Sequence, residues 1–125
     1  MRGGGGIVTD PETRAFYRLV RFVPPRVRDY VSTYDRYEAK GAFPSRWTAE
    51  EYRIARGLSA YDSEEGARRQ WLEAPGGHRF IVRYRLSALE PRLYERTFKT
   101  PGHYTVFGGQ EVLEPYLDRT YHVRL

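Results

Sequence analysis

Two short segments carry the groups most able to do chemistry. They are Gly57-Leu58-Ser59-Ala60-Tyr61-Asp62-Ser63 and Gly102-His103-Tyr104-Thr105-Val106-Phe107-Gly108. Each sets hydroxyl, phenol or imidazole groups on a short apolar run and stops that run at a turn or helix cap. On an extended chain alternate residues share a face, so Ser59 and Tyr61 point one way together, as do His103 and Thr105. A serine beside a tyrosine at a strand end can hydrogen-bond a ribose or stack on a ring. A helix opened by Asp62 or Ser63 would place amide N–H groups where they could hold a phosphate. Histidine is the usual proton carrier near neutral pH, and His103 could also hold a ribose hydroxyl. Plain structural roles stand beside each of these: a helix cap for Asp62 or Ser63, core packing for Tyr61, a structural histidine at 103.

Three further groups have chemical potential. Arg18 and Arg21 lie inside an otherwise apolar segment, Phe16 to Val23, and burying a guanidinium without a partner is costly. At least one should meet a ligand anion or a carboxylate of the fold. Glu111, with Glu114 one helical turn on, follows the late apolar run; a carboxylate there could stabilise a ribose oxocarbenium ion, or simply complement a helix dipole. Arg79, Arg83 and Arg85 form a basic alternation that could track a nucleic-acid backbone or protect a sheet face from sticking. His78, His103 and His122 are far apart, no metal-ligand spacing occurs, and no metal is expected. Phosphate-loop, dinucleotide-fingerprint and nucleophile-elbow motifs are missing too.

These groups need elements to hold them. Arg14 to Val23 is rich in aromatic and β-branched residues and is stopped by Pro24-Pro25, which reads as a first strand. Arg26 to Lys40 has apolar residues near helical spacing, with Gly41 as a stop. Thr48 to Glu51 is a capping box that opens a short helix to about Arg56. Leu58 to Tyr61 is a short strand, and a helix follows through about Leu72. His78 to Leu86 alternates Phe80, Val82, Tyr84 and Leu86 with Arg79, Ile81, Arg83 and Arg85, the pattern of a strand with one buried face. Leu93–Phe98 and His103–Phe107 read as strands, Gln110–Leu117 as a short helix broken near Pro115, and Arg119–Leu125 as a closing strand. The expected fold is α+β: one twisted, mixed or mostly antiparallel sheet with three or four short helices. Residues 1–13 read as a flexible arm and 14–125 as the single domain.

Composition bounds the rest. The chain has 125 residues, a size that suits one domain able to bury its own core. It contains no cysteine, so disulfides and thiolate chemistry are excluded. The net charge is +5, and all but Lys40 and Lys99 of the 21 basic residues are arginine, the cation best shaped for phosphates and carboxylates. No run of apolar residues is long enough to span a membrane, and the Gly-rich start lacks the apolar stretch of a signal peptide. A cytoplasmic protein is expected, with no membrane partner.

With Phe16-Tyr17-Arg18-Leu19-Val20, Gly57-Leu58-Ser59-Ala60-Tyr61 and Gly102-His103-Tyr104-Thr105-Val106-Phe107-Gly108 in view, the chain resembles a family of small bacterial proteins. That family shares a YRLVR opening before a Pro-Pro, a central GLSVY segment and a late GHYT-aromatic-Gly. The likeness covers residues 16 to 123 and implies no particular activity. More distantly the layout is similar to ADP-ribosyltransferase-like folds, including RES-type NAD-consuming toxins and RNA 2′-phosphotransferases. That resemblance implies an NAD or nucleotide substrate, with Arg18 on the diphosphate, Ser59 and Tyr61 at the nicotinamide ribose and ring, His103 on a ribose hydroxyl and Glu111 at the transition state. Arg46-Trp47 resembles the Gly-Arg-Trp of the RES type, which adds Arg46 to the substrate-binding set. Gln70 stands where the RES stretch has glutamate, and a neutral amide cannot steady a developing cation as a carboxylate does.

Two readings follow. In one, the chain is an ADP-ribosyltransferase-like enzyme or toxin-type domain acting on NAD or a related nucleotide. In the other, it is a non-enzymatic immunity, antitoxin or nucleic-acid-associated module that uses Arg79, Arg83 and Arg85, with Arg18 tied into a salt bridge of the fold.

Overall fold

The computed structural model describes residues 13–87, 91–97 and 101–125. Most of the proposed arm, residues 1–12, lies outside them, as does Phe98 of the predicted fourth strand. The chain forms β1 (Thr13–Val20), α1 (Thr33–Lys40), α2 (Ala49–Ala55), β2 (Leu58–Tyr61), α3 (Glu64–Glu73), β3 (Phe80–Ser87), β4 (Tyr94–Arg96), β5 (His103–Val106), α4 (Gly109–Leu113) and β6 (Leu117–Arg124). The strands make one antiparallel sheet in the order β4-β5-β2-β1-β3-β6. This is an α+β domain.

The predicted helix from Arg26 to Lys40 is two pieces. A single 3-10 turn covers Val27–Tyr30, and Val31 is extended. The helix then restarts because Ser32 caps it: the Ser32 Oγ accepts from the Asp35 amide while the Asp35 carboxylate accepts from the Ser32 amide. This reciprocal cap satisfies two orphan donors, and it outweighs the apolar spacing that suggested one continuous helix. The capping box at Thr48 and Glu51 forms as expected and opens α2. Pro115 turns the end of α4 into a 3-10 turn, Glu114–Tyr116.

The sheet is covered on both faces. Phe16, Val20, Leu58, Ala60, Val82, Tyr84, Leu86, Tyr104 and Val106 form the larger core, closed by Tyr30 and by Leu113 of α4. On the other face Tyr61 and Ile81 pack with Ala67 of α3, bordered by Tyr17, Leu19 and Tyr121. So β3 does not have one buried face: Ile81 is as fully buried as Val82. The one-sided reading failed because its period-2 pattern hid an apolar residue among arginines, and α3 folds over that residue. By contrast α1 and α2 bury no residue of their own. They are joined by a satellite of rings, Tyr34, Tyr37, Phe43, Trp47 and Tyr52. Arg53 ties α2 to the sheet through Glu95 of β4, at 2.8 Å.

Two arginines of the basic alternation share one carboxylate, Asp118. Arg83 lies against the Tyr121 ring at 4.3 Å and donates to the Asp118 carboxylate at 2.7 Å, and Arg85 reaches the same oxygen at 3.3 Å. Thr120, and then the Arg83 guanidinium, hold the Asp118 carboxyl far below the usual carboxylate range. Of the three arginines assigned to a nucleic-acid face, only Arg79 makes no ion pair among the described residues, while Arg83 and Arg85 are tied together on one acid.

Gly57 enters β2 where only hydrogen fits. A Cβ there would stand 2.2 Å from the Thr105 methyl and 2.9 Å from the Phe107 ring. Gly57→Ala should therefore push β2 off β5 and cost about 1–3 kcal/mol, the usual scale of overpacking. Urea denaturation reads this as a lower midpoint with an unchanged m-value.

Candidate functional site

The seam between β1 and β2 builds the site. β1 pairs with β3 along all eight of its residues, but with β2 only at Tyr17–Tyr61. Continued pairing would set Leu19 against Ser59. Instead the Arg18 side chain enters the seam: its Nε donates to the Ser59 carbonyl at 3.3 Å and its Nη2 to the Asp29 carbonyl at 2.7 Å. Arg18 is 6 % exposed, and its Nη1 has no hydrogen-bond partner among the described residues. The neighbouring carboxylate does not serve it. Asp29 accepts from the Arg21 amide at 2.7 Å and from the Arg26 amide at 3.0 Å, holding the turn after β1. A salt bridge from Arg18 to the fold is absent among the described residues, contrary to what the binding-module reading requires.

Three adjoining cavities open along this seam and form one groove. The first, about 280 Å³, is cationic: Arg18, Arg21, Arg28, Arg36 and His78 line it, with Asp29 as its one acid. The second, about 230 Å³, shares Arg18, Arg36 and His78 and adds Ser59, Tyr61 and Gln70. The third, about 180 Å³, shares Ser59 and is mostly apolar, with Trp47, Ile54, Ala55 and Thr105 on its wall and Glu51 beside them. The groove thus runs from clustered positive charge, past a hydroxyl and a phenol, to an indole.

β5 sets the middle of the groove. Its register places His103 opposite Tyr61 and Thr105 opposite Ser59, so all four side chains lie on the α3 side of the sheet. The His103 Nε2 lies 3.2 Å from the Ser59 Oγ, and its Nδ1 lies 2.9 Å from the Thr97 hydroxyl. Thr97 in turn meets the Thr105 hydroxyl at 2.8 Å. The Tyr61 ring stands edge-on to the imidazole, with centroids 5.3 Å apart. His103 and Thr97 are buried, whereas Ser59 is exposed to the groove. Burial pushes the His103 imidazole below its ordinary value, with a smaller opposing pull from the Thr97 carbonyl. Burial, and then the Arg21 charge, push His78 down in the same direction.

Several predicted residues converge here: Arg18, Ser59, Tyr61 and His103. Others do not. Glu111 is exposed on α4, and α4 anchors through Leu113 in the core on the opposite face of the sheet. It is not on the groove wall, because the chain turns at Gly108 and Leu113 seats α4 in the larger core. Arg46 is exposed in the turn before α2, and its neighbour Trp47 is the residue that reaches the groove. Ser63 does cap α3, with its Oγ accepting from the Gly66 amide at 3.0 Å. Yet the residues of that helix that line the groove are Gln70 and Ala74, toward its other end, so its N-terminus is not the anion site.

Sequence reasoning missed Thr97, Arg36, His78 and Glu51. Thr97 carries no local signal, and reaches His103 only because β4 and β5 pair, its amide donating to the His103 carbonyl at 3.1 Å. Trp47 and Glu51 had a signal, in the capping box and the Arg-Trp pair, but not one that pointed at Ser59. Among the described residues no cluster of His, Asp and Glu could hold a metal ion, and no helix is long and apolar enough to cross a membrane. The chain matches no protein-family model, no curated protein and no solved structure.

The two lowered histidines set a pH dependence. Each folded-state pKa lies below the unfolded value of about 6.5, so the unfolded chain binds protons first as pH falls. Stability is complete above that value and declines as pH drops through it toward the folded pKa. Melting temperature should fall between about pH 7.5 and about pH 5.5, above the range where carboxylates titrate. The slope should be shallower in His103→Gln, and the His103 ring resonances should titrate below those of a model histidine peptide.

Proposed function

We propose that the groove binds a phosphate-bearing nucleotide of the NAD class, and that the chain acts on it as an ADP-ribosyltransferase-like enzyme. The observation that carries this reading is Arg18. A guanidinium buried in a sheet seam, held by two carbonyls and paired with no carboxylate, is costly unless a partner arrives. A phosphate supplies both the charge and the fork-shaped acceptors that a guanidinium matches. Arg28 and Arg36 line the same cavity and add positive potential for a second phosphate.

The order of groups along the groove supports a nucleotide over a simple anion. A nucleotide presents charged phosphates, then a sugar, then a planar ring. The groove presents arginines, then Ser59 and Tyr61, then Trp47 and Ile54. Cleaving a bond to ribose C1′ calls for a carboxylate beside the developing cation. With Glu111 on the far side of the sheet and Asp29 holding two backbone amides, Glu51 takes that role in this reading: it stands on the groove wall, and one oxygen, Oε1, accepts from the Thr48 amide at 2.8 Å.

Thermal denaturation tests it. Ligand at ten times its dissociation constant stabilises the fold by about 1.4 kcal/mol, which is several degrees in Tm for a chain of this size. Millimolar NAD or ADP-ribose should give such a rise in the wild-type protein, and none in an Arg18→Met variant that retains the wild-type circular dichroism. No rise with either ligand in the wild type would sink the reading.

A further inference from the structure

We infer that Ser59 is a nucleophile for phosphoryl-group transfer, activated by His103 as general base and by Thr97 as the residue that positions the imidazole. The inference rests on the nucleotide reading only for the source of the phosphoryl group. The serine itself is argued from its own surroundings.

The arrangement has direction. The ring nitrogen that faces Thr97 is Nδ1, at 2.9 Å from the hydroxyl. In the proposed tautomer the proton is on Nδ1 and is donated to the Thr97 hydroxyl oxygen. Nε2 is then a lone pair, and it faces the Ser59 Oγ at 3.2 Å. In that tautomer the Thr97 hydroxyl, 2.8 Å from the Thr105 hydroxyl, donates its own proton to Thr105 and accepts Nδ1–H. The chain of donors runs from Ser59 through His103 and Thr97 to Thr105. This is the logic of a hydroxyl nucleophile: a base within reach, and a third group that fixes the tautomer of that base. The nucleophile is the exposed member and the base and its orienter are buried, so the reactive oxygen is the one that meets the groove.

The electrophile follows from what shares the cavity with Ser59. Arg18 and Arg36 line it, and two guanidinium groups suit the oxygens of a phosphoryl group passing through its transition state. In the step, the Ser59 Oγ bonds to phosphorus as its proton moves to the His103 Nε2. The bond from phosphorus to the leaving oxygen breaks, and that oxygen takes the proton back from His103. A water then attacks the phosphoserine ester by the reverse path, releasing Ser59 and the phosphoryl product. The substrate class is a phosphate ester or anhydride, and water is the only co-reactant.

A fluorophosphonate ester is the probe, since it delivers a phosphorus electrophile and loses fluoride on capture. Wild-type protein at about pH 7.5 should gain one phosphonyl group by intact mass, mapped to Ser59 by peptide sequencing. Ser59→Ala should gain none. His103→Gln should react about 100-fold more slowly, the lower end of what a positioned base contributes. Thr97→Val should slow the reaction and move its pH midpoint, an effect that loss of packing alone would not give. In the wild type the rate should rise with pH as His103 loses its proton. Among the described residues, the groups that face that imidazole are the Tyr61 ring and the Ser59 hydroxyl from β2 and the Thr97 hydroxyl beyond β4. No labelling of Ser59, or equal labelling of wild type and His103→Gln, overturns the inference. A thermal shift with ADP-ribose but no label at Ser59 overturns it while leaving the nucleotide reading intact. Label at Ser59 without any thermal shift does the opposite.

Discussion

The Arg18 guanidinium sits where the ladder between β1 and β2 would otherwise continue, and much of the site depends on it. Its Nε takes the Ser59 carbonyl, a group that lies on the edge of β2 facing β1. Its Nη2 takes the Asp29 carbonyl and so secures the 3-10 turn whose Tyr30 closes the larger core. The strands are parted along the seam, yet two backbone acceptors there have donors. That substitution keeps the seam satisfied without closing it. The arrangement leaves a buried charge without a carboxylate, which is a stability cost concentrated at one place. Such costs persist where a surrounding fold holds the group and a ligand can complete it.

The surrounding fold is strong enough to hold it. β1 and β3 share a complete register, and cores on both faces bury Phe16, Val20, Ile81, Val82, Tyr84 and Leu86 almost fully. The open seam therefore lies between one strand fully paired on its other side, β1, and the β2–β5 pair, whose register is also complete. The α1–α2 excursion is different in kind. Neither helix buries a residue, and the segment coheres through rings that pack on one another. Trp47 belongs both to that ring cluster and to the groove wall, so the aromatic end of the groove is positioned by the satellite and the cationic end by the sheet.

Much of the architecture was legible in the sequence. Alternation and flanking turn residues located the strands at 58–61, 80–87 and 103–106 to within a residue or two. Capping chemistry located α2 and α3, because a hydroxyl followed three residues later by a free amide is a local device that depends on nothing distant. The split of the predicted helix at Val31 was legible in principle, in the Ser32–Asp35 pair, but apolar spacing masked it. Among the site residues, the grouping of Ser59 with Tyr61 and of His103 with Thr105 followed from strand period alone. The placement of Glu111 did not, since it depends on where the chain goes after Gly108.

The sequence by itself determined the local elements and which residues share a face within each. It set a buried cation on β1, a hydroxyl and phenol on β2 and an imidazole on β5, because side-chain direction within a strand follows from backbone geometry. Which strands are neighbours, and in what register, was decided only by the tertiary structure. Pairing is settled by how two apolar faces are covered at once, and that is a property of the whole chain. Tertiary structure alone set Tyr61 opposite His103, brought Thr97 to the imidazole from six residues away, and paired both Arg83 and Arg85 with Asp118. It also parted β1 from β2, and that opening put Arg18, Ser59 and Tyr61 on the wall of one groove, with His103 buried behind Ser59.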